Sequence, residues 1–354
     1  MGKQLQASIS VGFGRENWPR SIDFVVEAEK LGVHSVWSAE AWGSDAVSPL
    51  AFVAARTSRI LLGTGIMQAG SRSPALVGMT ATTMAALSGG RFLLGLGTSG
   101  PQVMEGWHGV RFERPVQRMR EIVEIVRLVT SGERLAYSGR VYQLPLPRGE
   151  GQAIKSAMGP STRIPVYLAT LGPKSLEMTG EIADGWLGTS FMPDHAGVFF
   201  DYIRAGAQKA GRSFEEIDLH AGGVVAFSDD VESLLPPRKP GVAFTLGAMG
   251  SREHNFYNEA YQRAGYRDLA REVQRLWLEG RKDEASQMIP DEIVTQTNLL
   301  GTEGMVKARI RAYRDAGVTT IRVEPEGRGM EERLETLGRF MRLLGEVNGE
   351  AANE

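Results

Sequence analysis

The chain has 354 residues, of which 42% are hydrophobic and 23% charged, and a formal net charge of -2. Those values belong to a folded globular protein, and the near-neutral charge gives no electrostatic case for a nucleic-acid or anionic-membrane partner. There is no cysteine, which excludes disulfides, thiolate metal sites and cysteine nucleophiles, and the five histidines, at positions 34, 108, 195, 220 and 254, show no HxH or HExxH spacing, so no metal site is expected. The opening stretch MGKQLQASISVGF lacks the apolar core of a signal peptide and no apolar run is long enough to span a membrane, so a cytoplasmic location is expected.

Residues 7–13 alternate apolar and small side chains and read as a first strand. A helical stripe at Ile22, Val25, Val26 and Leu31 follows, closed by Gly32. Residues 35–39 form a second strand, with Glu40 and Trp42 just past its end. A carboxylate and an indole at a strand exit are candidates for ligand contact, against the plainer reading of a solvated charge and a packing residue at the rim. A short helix is read over 49–57 and a third strand over 60–66, followed by a loop in which Arg72 is a candidate to hold an anion, against the plainer reading of an exposed, unengaged side chain. A helix with proline at its start spans 74–87.

The stretch 92–109, FLLGLGTSGPQVMEGWHG, organises the rest. Its first five residues are apolar or glycine, the signature of a strand buried on both faces and therefore parallel. It then breaks into the small-residue turn Gly97-Thr98-Ser99-Gly100-Pro101 and offers Gln102, Glu105, Trp107 and His108. Helix, buried strand and polar loop make the unit of a βα barrel, in which the loop after the strand carries the chemistry.

An amphipathic helix over 115–131 precedes an irregular excursion over 133–163 with a hairpin signal at 137–142. A fifth strand over 165–169 opens through Thr170, Leu171, Gly172 and Pro173 into a helix ending at Ile182. A Gly-Pro turn into a helix start leaves backbone N–H groups unpaired, which suits a phosphate. The next strand exits through Thr189 and Ser190 beside that turn. A helix over 194–210 and a strand over 219–226 lead to 228–257, which reads as a long irregular insertion or lid, then to a charged helical region over 257–289. Thr302 reads as the N-cap of a helix over 305–316; the last strand covers 319–323, the last helix 330–347, and 348–354 reads as a frayed polar tail.

Eight strands, each followed by a helix, predict an α/β fold: a (β/α)8 TIM barrel, one domain over 1–347 with excursions at about 133–163 and 228–257. A doubly wound open sheet is the alternative, weakened by the lack of a GxGxxG turn after the first strand.

Four strings, LLGTGIMQAGSRSP, LSGGRFLLGLGTSGPQVMEGWHG, YLATLGPKSLEMTGEIADGW and GTEGMVKARIRAYRDAGVTTIRV, closely resemble the bacterial-luciferase-like monooxygenase superfamily. The closer similarity is to its deazaflavin-dependent branch, which includes methylenetetrahydromethanopterin reductase, and it runs over about residues 7–345. The resemblance implies a luciferase-like barrel with the cofactor ring at the C-terminal mouth of the strands, and coenzyme F(420) as the cofactor, with FMN the alternative. It implies that Glu40 and Trp42 lie near the ring, that Gly65–Ile66 is a non-proline cis peptide in a bulge, that Thr98 and Ser99 contact the cofactor, and that Thr170, Leu171, Gly172 and Thr189 bind its phosphate. It also implies a homodimer. Sugar-phosphate dehydrogenases of this branch place a catalytic Glu two residues after the Thr that matches Thr98; here that position is Gly100, so the acid chemistry does not carry over. Glu40, Glu105 and His108 are the candidate catalytic residues. The expected activity is hydride transfer between the deazaflavin and a small organic substrate with a C=C, C=N or alcohol/carbonyl group. The alternatives are an FMN-dependent monooxygenase and a non-catalytic flavin-binding protein.

Overall fold

The computed structural model describes residues 4–12, 17–249 and 255–351. Eight parallel strands close on themselves: β1 (Gln6–Val11), β2 (Ser35–Ser38), β3 (Leu61–Thr64), β4 (Phe92–Gly97), β5 (Val166–Ala169), β6 (Gly185–Leu187), β7 (Asp218–Phe227) and β8 (Thr320–Pro325). Consecutive strands pair in order, β1 pairs β8, and the predicted (β/α)8 TIM barrel is the observed fold. The outer ring is α1 (Trp18–Lys30), α2 (Val47–Ala54), α3 (Pro74–Leu87), α4 (Pro115–Ser131), α5 (Pro173–Ile182), α6 (Gly197–Lys209), α7 (Glu303–Asp315) and α8 (Met330–Ala351).

The main core lies between barrel and helices, where alternate strand residues such as Ile9, Leu62, Leu94, Leu168, Ile321 and Val323 meet the apolar stripes of the helices. All of β4 is buried, as its unbroken apolar run implies. The helix ends follow their sequence signals: Ser73 accepts from the Leu76 N–H ahead of Pro74, Thr302 accepts from the Met305 N–H, and α4 stops at Gly132 with φ 77°. Helices α5 and α6 meet backbone to backbone, since a Cβ on Gly180 would lie 1.9 Å from the Ile203 carbonyl oxygen and one on Gly206 1.8 Å from that of Glu177.

Several boundaries differ from the sequence expectation. Helix α2 starts earlier, where Asp45 accepts the N–H groups of Val47 and Ser48 (2.9 and 2.8 Å), and ends earlier, because Glu29 accepts the N–H groups of Ser58, Arg59 and Ile60 (3.0, 2.7 and 2.9 Å) and draws that segment off the helix. A short helix, Pro101–Met104, stands where an open loop was expected. The described part of 228–257 is largely helical: two single 3-10 turns at Glu232–Leu234 and Pro236–Arg238 lead into the helix Lys239–Gly247, with the prolines starting turns rather than breaking them. The region 257–289 is helical as expected, and beyond it come the helix Asp291–Thr297 and the strand Leu299–Gly301, neither of them expected, the strand extending the sheet at the end of β7. Leu235, Leu246, Val273, Leu276 and Ile293 give this insertion its own apolar cluster. The final helix continues to Ala351 instead of fraying at 348, because the Asn348 amide accepts from the Leu5 N–H (2.9 Å) and donates to its carbonyl (3.0 Å).

The 133–163 excursion carries the expected hairpin, Tyr137–Ser138 against Gln143–Leu144. Glu121 of α4 holds it: this fully buried carboxylate accepts from the Gln117 amide (2.8 Å) and from the N–H groups of Arg140, Val141 and Tyr142 (2.7, 3.0 and 2.8 Å). Burial acts to raise its pKa, but those four donors outweigh it and hold the carboxyl below its ordinary 4.5. The stabilisation is complete above that value and is lost as pH falls through the lower folded-state value. Glu121→Ala is expected to cost about 2–4 kcal/mol in urea unfolding at neutral pH and to leave an acid-unfolding curve lacking this component. An unchanged midpoint would remove the role given to Glu121.

Candidate active site

The barrel has a closed floor. Trp37, Tyr167 and His220 meet edge to face inside it, with ring centroids 5.1–5.3 Å apart. Beneath them Asp218 accepts from the Tyr167 hydroxyl (2.7 Å), pairs with His220 Nε2 (2.7 Å) and accepts from Thr319 and from Thr320 (3.2 Å). Burial would raise the Asp218 pKa, but His220 and the hydroxyls drive it well below the usual carboxylate range, whereas burial and Asp218 raise Tyr167 well above that of an exposed tyrosine. Asp218 is therefore an anionic anchor at the N-terminal end of the barrel, and any reacting molecule has to sit above the aromatic layer.

Above that layer β3 breaks. The Gly65–Ile66 peptide is cis, at the position the resemblance implied. The Gly65 N–H donates to Ser38 O (2.7 Å) and the Glu40 N–H to Ile66 O (3.1 Å), after which Met67–Gln68 resumes pairing with β4. Glu40 is buried. Its carboxylate takes a bidentate pair from Arg72, with Nη2–Oε2 at 2.9 Å, and accepts the N–H groups of Gln68 (2.9 Å) and Ala46 (3.1 Å). Arg72, whose plainer reading from sequence is an exposed, unengaged side chain, is instead half-buried, and the bonds to Glu40 raise its pKa against the opposing effect of burial. The bulge also needs glycine in β4: a Cβ on Gly95 would lie 1.8 Å from Thr64 O, and Thr64 Oγ1 donates to Gly95 O (2.8 Å) while accepting from Gly95 N (2.9 Å).

The loop after β4 carries Thr98 and Ser99, both half-buried, with Ser99 at φ 57°. Ser190, after β6, has φ 53°. Two non-glycine residues held in the left-handed region at strand exits on either side of β5 mark strain of the kind that collects at functional sites. Glu105 and His108 lie on the surface of the Pro101–Met104 turn and its continuation, where Glu105 Oε1 accepts the Phe112 N–H (2.9 Å). Trp42 and Trp107 are exposed. Glu40, Gly65 and Ile66 are thus brought together, whereas Glu105 and His108 stand in solvent.

At the start of α5, Gly172 takes the N-cap position with φ -80° and no side chain caps the helix. The N–H groups of Lys174 and Ser175 precede the first intrahelical acceptor. Nothing in the fold requires glycine at 172: a Cβ there would meet only Ser175 Oγ at 3.7 Å and Phe256 at 3.9 Å, ordinary contacts. Thr170 is buried, its hydroxyl bonded to that of Thr179 (2.8 Å) and its carbonyl to Trp186 Nε1 (2.9 Å), so it positions the helix and its oxygen is occupied. Thr189 is half-buried on the neighbouring strand exit. Leu171 O accepts from Arg263 Nη2 (2.6 Å). Arg263 comes from the insertion helix Phe256–Arg263, its Nε is buried without a partner, and burial lowers its pKa.

Arg263, Asp218, His220 and Arg322 are not legible as site residues in the sequence. Asp218-x-His220 does carry a period-2 signal, since both side chains must share one face of a strand. Nothing local separates Arg263 from the other arginines of its charged helices. His254 lies outside the described residues.

A closed barrel with a broken third strand and an uncapped helix start at its mouth defines a class of ligand-binding barrel enzyme. The luciferase-like monooxygenase family model matches residues 3–320, and the chain belongs to that family. A Mycobacterium tuberculosis protein named as a coenzyme F(420)-dependent oxidoreductase is 39% identical over 324 residues, 89% of this chain and 93% of its own length. The 5,10-methylenetetrahydromethanopterin reductase of Methanolobus tindarius is 28% identical over 317 residues, 88% and 92%. The coenzyme F(420)-dependent tetrahydromethanopterin reductase structure from Methanopyrus kandleri superposes with a TM-score of 0.77 at 24% identity, covering 95% of this chain and 97% of that one. The protein is an enzyme, and its named relatives are oxidoreductases.

Proposed function

We propose that the enzyme binds coenzyme F(420) in the barrel mouth and moves a hydride between it and a small organic substrate. The observation that carries this reading is the start of α5. Gly172 has no side chain where the fold would accept one, the adjoining N–H groups are uncapped, and Arg263 brings a cation to the same turn. That donor set fits a phosphate ester. The bound deazaflavin would supply the hydride acceptor or donor.

The chain's own residues do the rest. Lys174 and Ser175 N–H groups and Arg263 hold the phosphate. Thr170 keeps α5 in place through Thr179. Glu40 and Arg72 brace the bulge at Gly65–Ile66, against which the ring would rest, and Trp37, Tyr167 and His220 exclude water from below. Thr98, Ser99, Leu171 and Thr189 line the strand exits on which the cofactor would lie. Glu105 and His108 reach the reacting atoms only if their loop folds over the mouth; otherwise the proton exchanges with solvent.

Fluorescence titration of cofactor-free protein with coenzyme F(420), and separately with FMN, is expected to show micromolar or tighter binding of the deazaflavin and much weaker binding of FMN. The reverse order would point to oxygen chemistry, and binding of neither would overturn the assignment of the α5 turn.

Two copies of the chain are also inferred to associate through α2 and α3. Both helices are apolar nearly all round, and Phe52, Leu76, Met79 and Leu87 are exposed on them. Light scattering is expected to give twice the chain mass for the wild type and a monomer for Met79→Glu; a monomeric wild type would refute the pairing.

A further inference from the structure

The inner face of β8 carries one cation, Arg322, that is tied into no ion pair among the described residues. Ile321 and Val323 point outward into the main core, so Thr320, Arg322 and Glu324 point inward. The bond from Thr320 to Asp218 inside the barrel fixes that facing. Arg322 is two residues closer to the mouth than Thr320, level with Gly222 of β7 and Ser8 of β1. Among the described residues its guanidinium makes no hydrogen bond and no ion pair. Gly222 presents no side chain to it. Ser8, inward-facing because Ala7 and Ile9 lie in the main core, has a buried hydroxyl that also lacks a partner.

Glu324 on its own strand bears on Arg322 electrostatically, as do, more weakly, the Tyr257 hydroxyl of the insertion and that of Tyr313 in the outer core, which is bonded to Gln296 O. Burial lowers the Arg322 pKa, and Glu324 and the two tyrosines only partly oppose it. The orphaned Ser8 hydroxyl is buried at a cost in stability, whereas Arg322 is only half-buried, so its guanidinium donors are open to a ligand from the mouth. Two such groups side by side on one face define a place for an acceptor that carries negative charge. Because Glu324 already faces this cation, a monoanion is repelled less there than a phosphate dianion would be.

We propose that Arg322 and Ser8 receive the carboxylate of the substrate, which makes this enzyme's small organic substrate a monocarboxylate. The planar fork of the guanidinium matches a carboxylate bidentately and would fix the substrate's orientation on the aromatic floor of Trp37, Tyr167 and His220. This substrate class rests on the hydride-transfer reading above, but the recognition site is testable apart from it.

The test uses the full chain without cofactor and three pairs of probes: acetate and acetamide, crotonate and crotonamide, benzoate and benzamide. Thermal-shift and calorimetric titrations are expected to show at least one acid binding at least about tenfold tighter than its amide. Arg322→Gln should abolish that difference, and Arg322→Lys should restore part of it. Arg322→Met is expected to abolish the acid preference as Arg322→Gln does, with little change in the melting temperature of the unliganded protein. Affinity for coenzyme F(420) should stay within about twofold of wild type in all three variants. Equal binding of every acid and its amide overturns the proposal. So does an acid preference that survives Arg322→Gln or Arg322→Met, or a loss of cofactor affinity in place of the acid preference. Failure of the wild type to bind the deazaflavin would sink the cofactor reading alone, since the acid-amide comparison needs no cofactor.

Discussion

Glu40→Ala is expected to lower the unfolding free energy by about 3–5 kcal/mol and to weaken cofactor binding together with it. The carboxylate is buried and satisfies a bidentate guanidinium and the N–H groups of Ala46 and Gln68. Its removal leaves Arg72 half-buried and unpaired and two backbone donors without acceptors. The Gln68 donor sits where the broken third strand rejoins β4, so the loss would reach the bulge directly. Glu40→Gln separates two roles. If Glu40 supplied the proton, the amide would keep the fold and cofactor affinity and lose turnover. As a brace it cannot be replaced by an amide, because the new –NH2 faces donors from Arg72 or the backbone. Stability and cofactor affinity should then both fall in Glu40→Gln. A variant of wild-type stability and affinity with turnover abolished would return Glu40 to the catalytic role read from its position at a strand exit.

That contrast shows what a sequence can carry about such a site. The strands were legible because β4 is apolar on both faces and because helices recur between them, and the helix starts were legible at Ser73-Pro74 and at Thr302. These are local signals, written in neighbouring residues. The Glu40–Arg72 pair spans two βα units, and Arg263 reaches Leu171 across 92 positions of sequence. No periodicity records such contacts. The second helix ended early for the same reason: the Glu29 carboxylate, on another helix, captured the N–H groups of residues 58–60. The insertion was harder still. Pro236 and Pro237 look like breakers in sequence, yet they stand in the first turn of a helical run that packs its own apolar cluster. Arg322 was visible only as one charge in an apolar strand, TTIRV, and its inward facing follows from Thr320 and Asp218, which are about a hundred residues apart.

Gly172→Asp is expected to leave the folded state at least as stable as wild type and to reduce coenzyme F(420) affinity by on the order of 100-fold, about 2.7 kcal/mol. The two effects come from the same few atoms. Residue 172 is the N-cap of α5 with extended backbone and room for a Cβ, so an aspartate can accept the uncapped N–H groups of the first turn, a gain of a few tenths of a kcal/mol over glycine. Those are the donors assigned to the phosphate, and the new carboxylate both occupies them and repels the anion. Gly172→Ala is the control: its methyl makes only ordinary contacts with Ser175 and Phe256, so it should keep wild-type stability and weaken the cofactor far less. Differential scanning fluorimetry and the cofactor titration read the two quantities separately. An aspartate variant that melts no lower than wild type and still binds the deazaflavin with wild-type affinity would place the phosphate elsewhere. One that unfolds would show that the glycine serves the fold, contrary to the space measured around it.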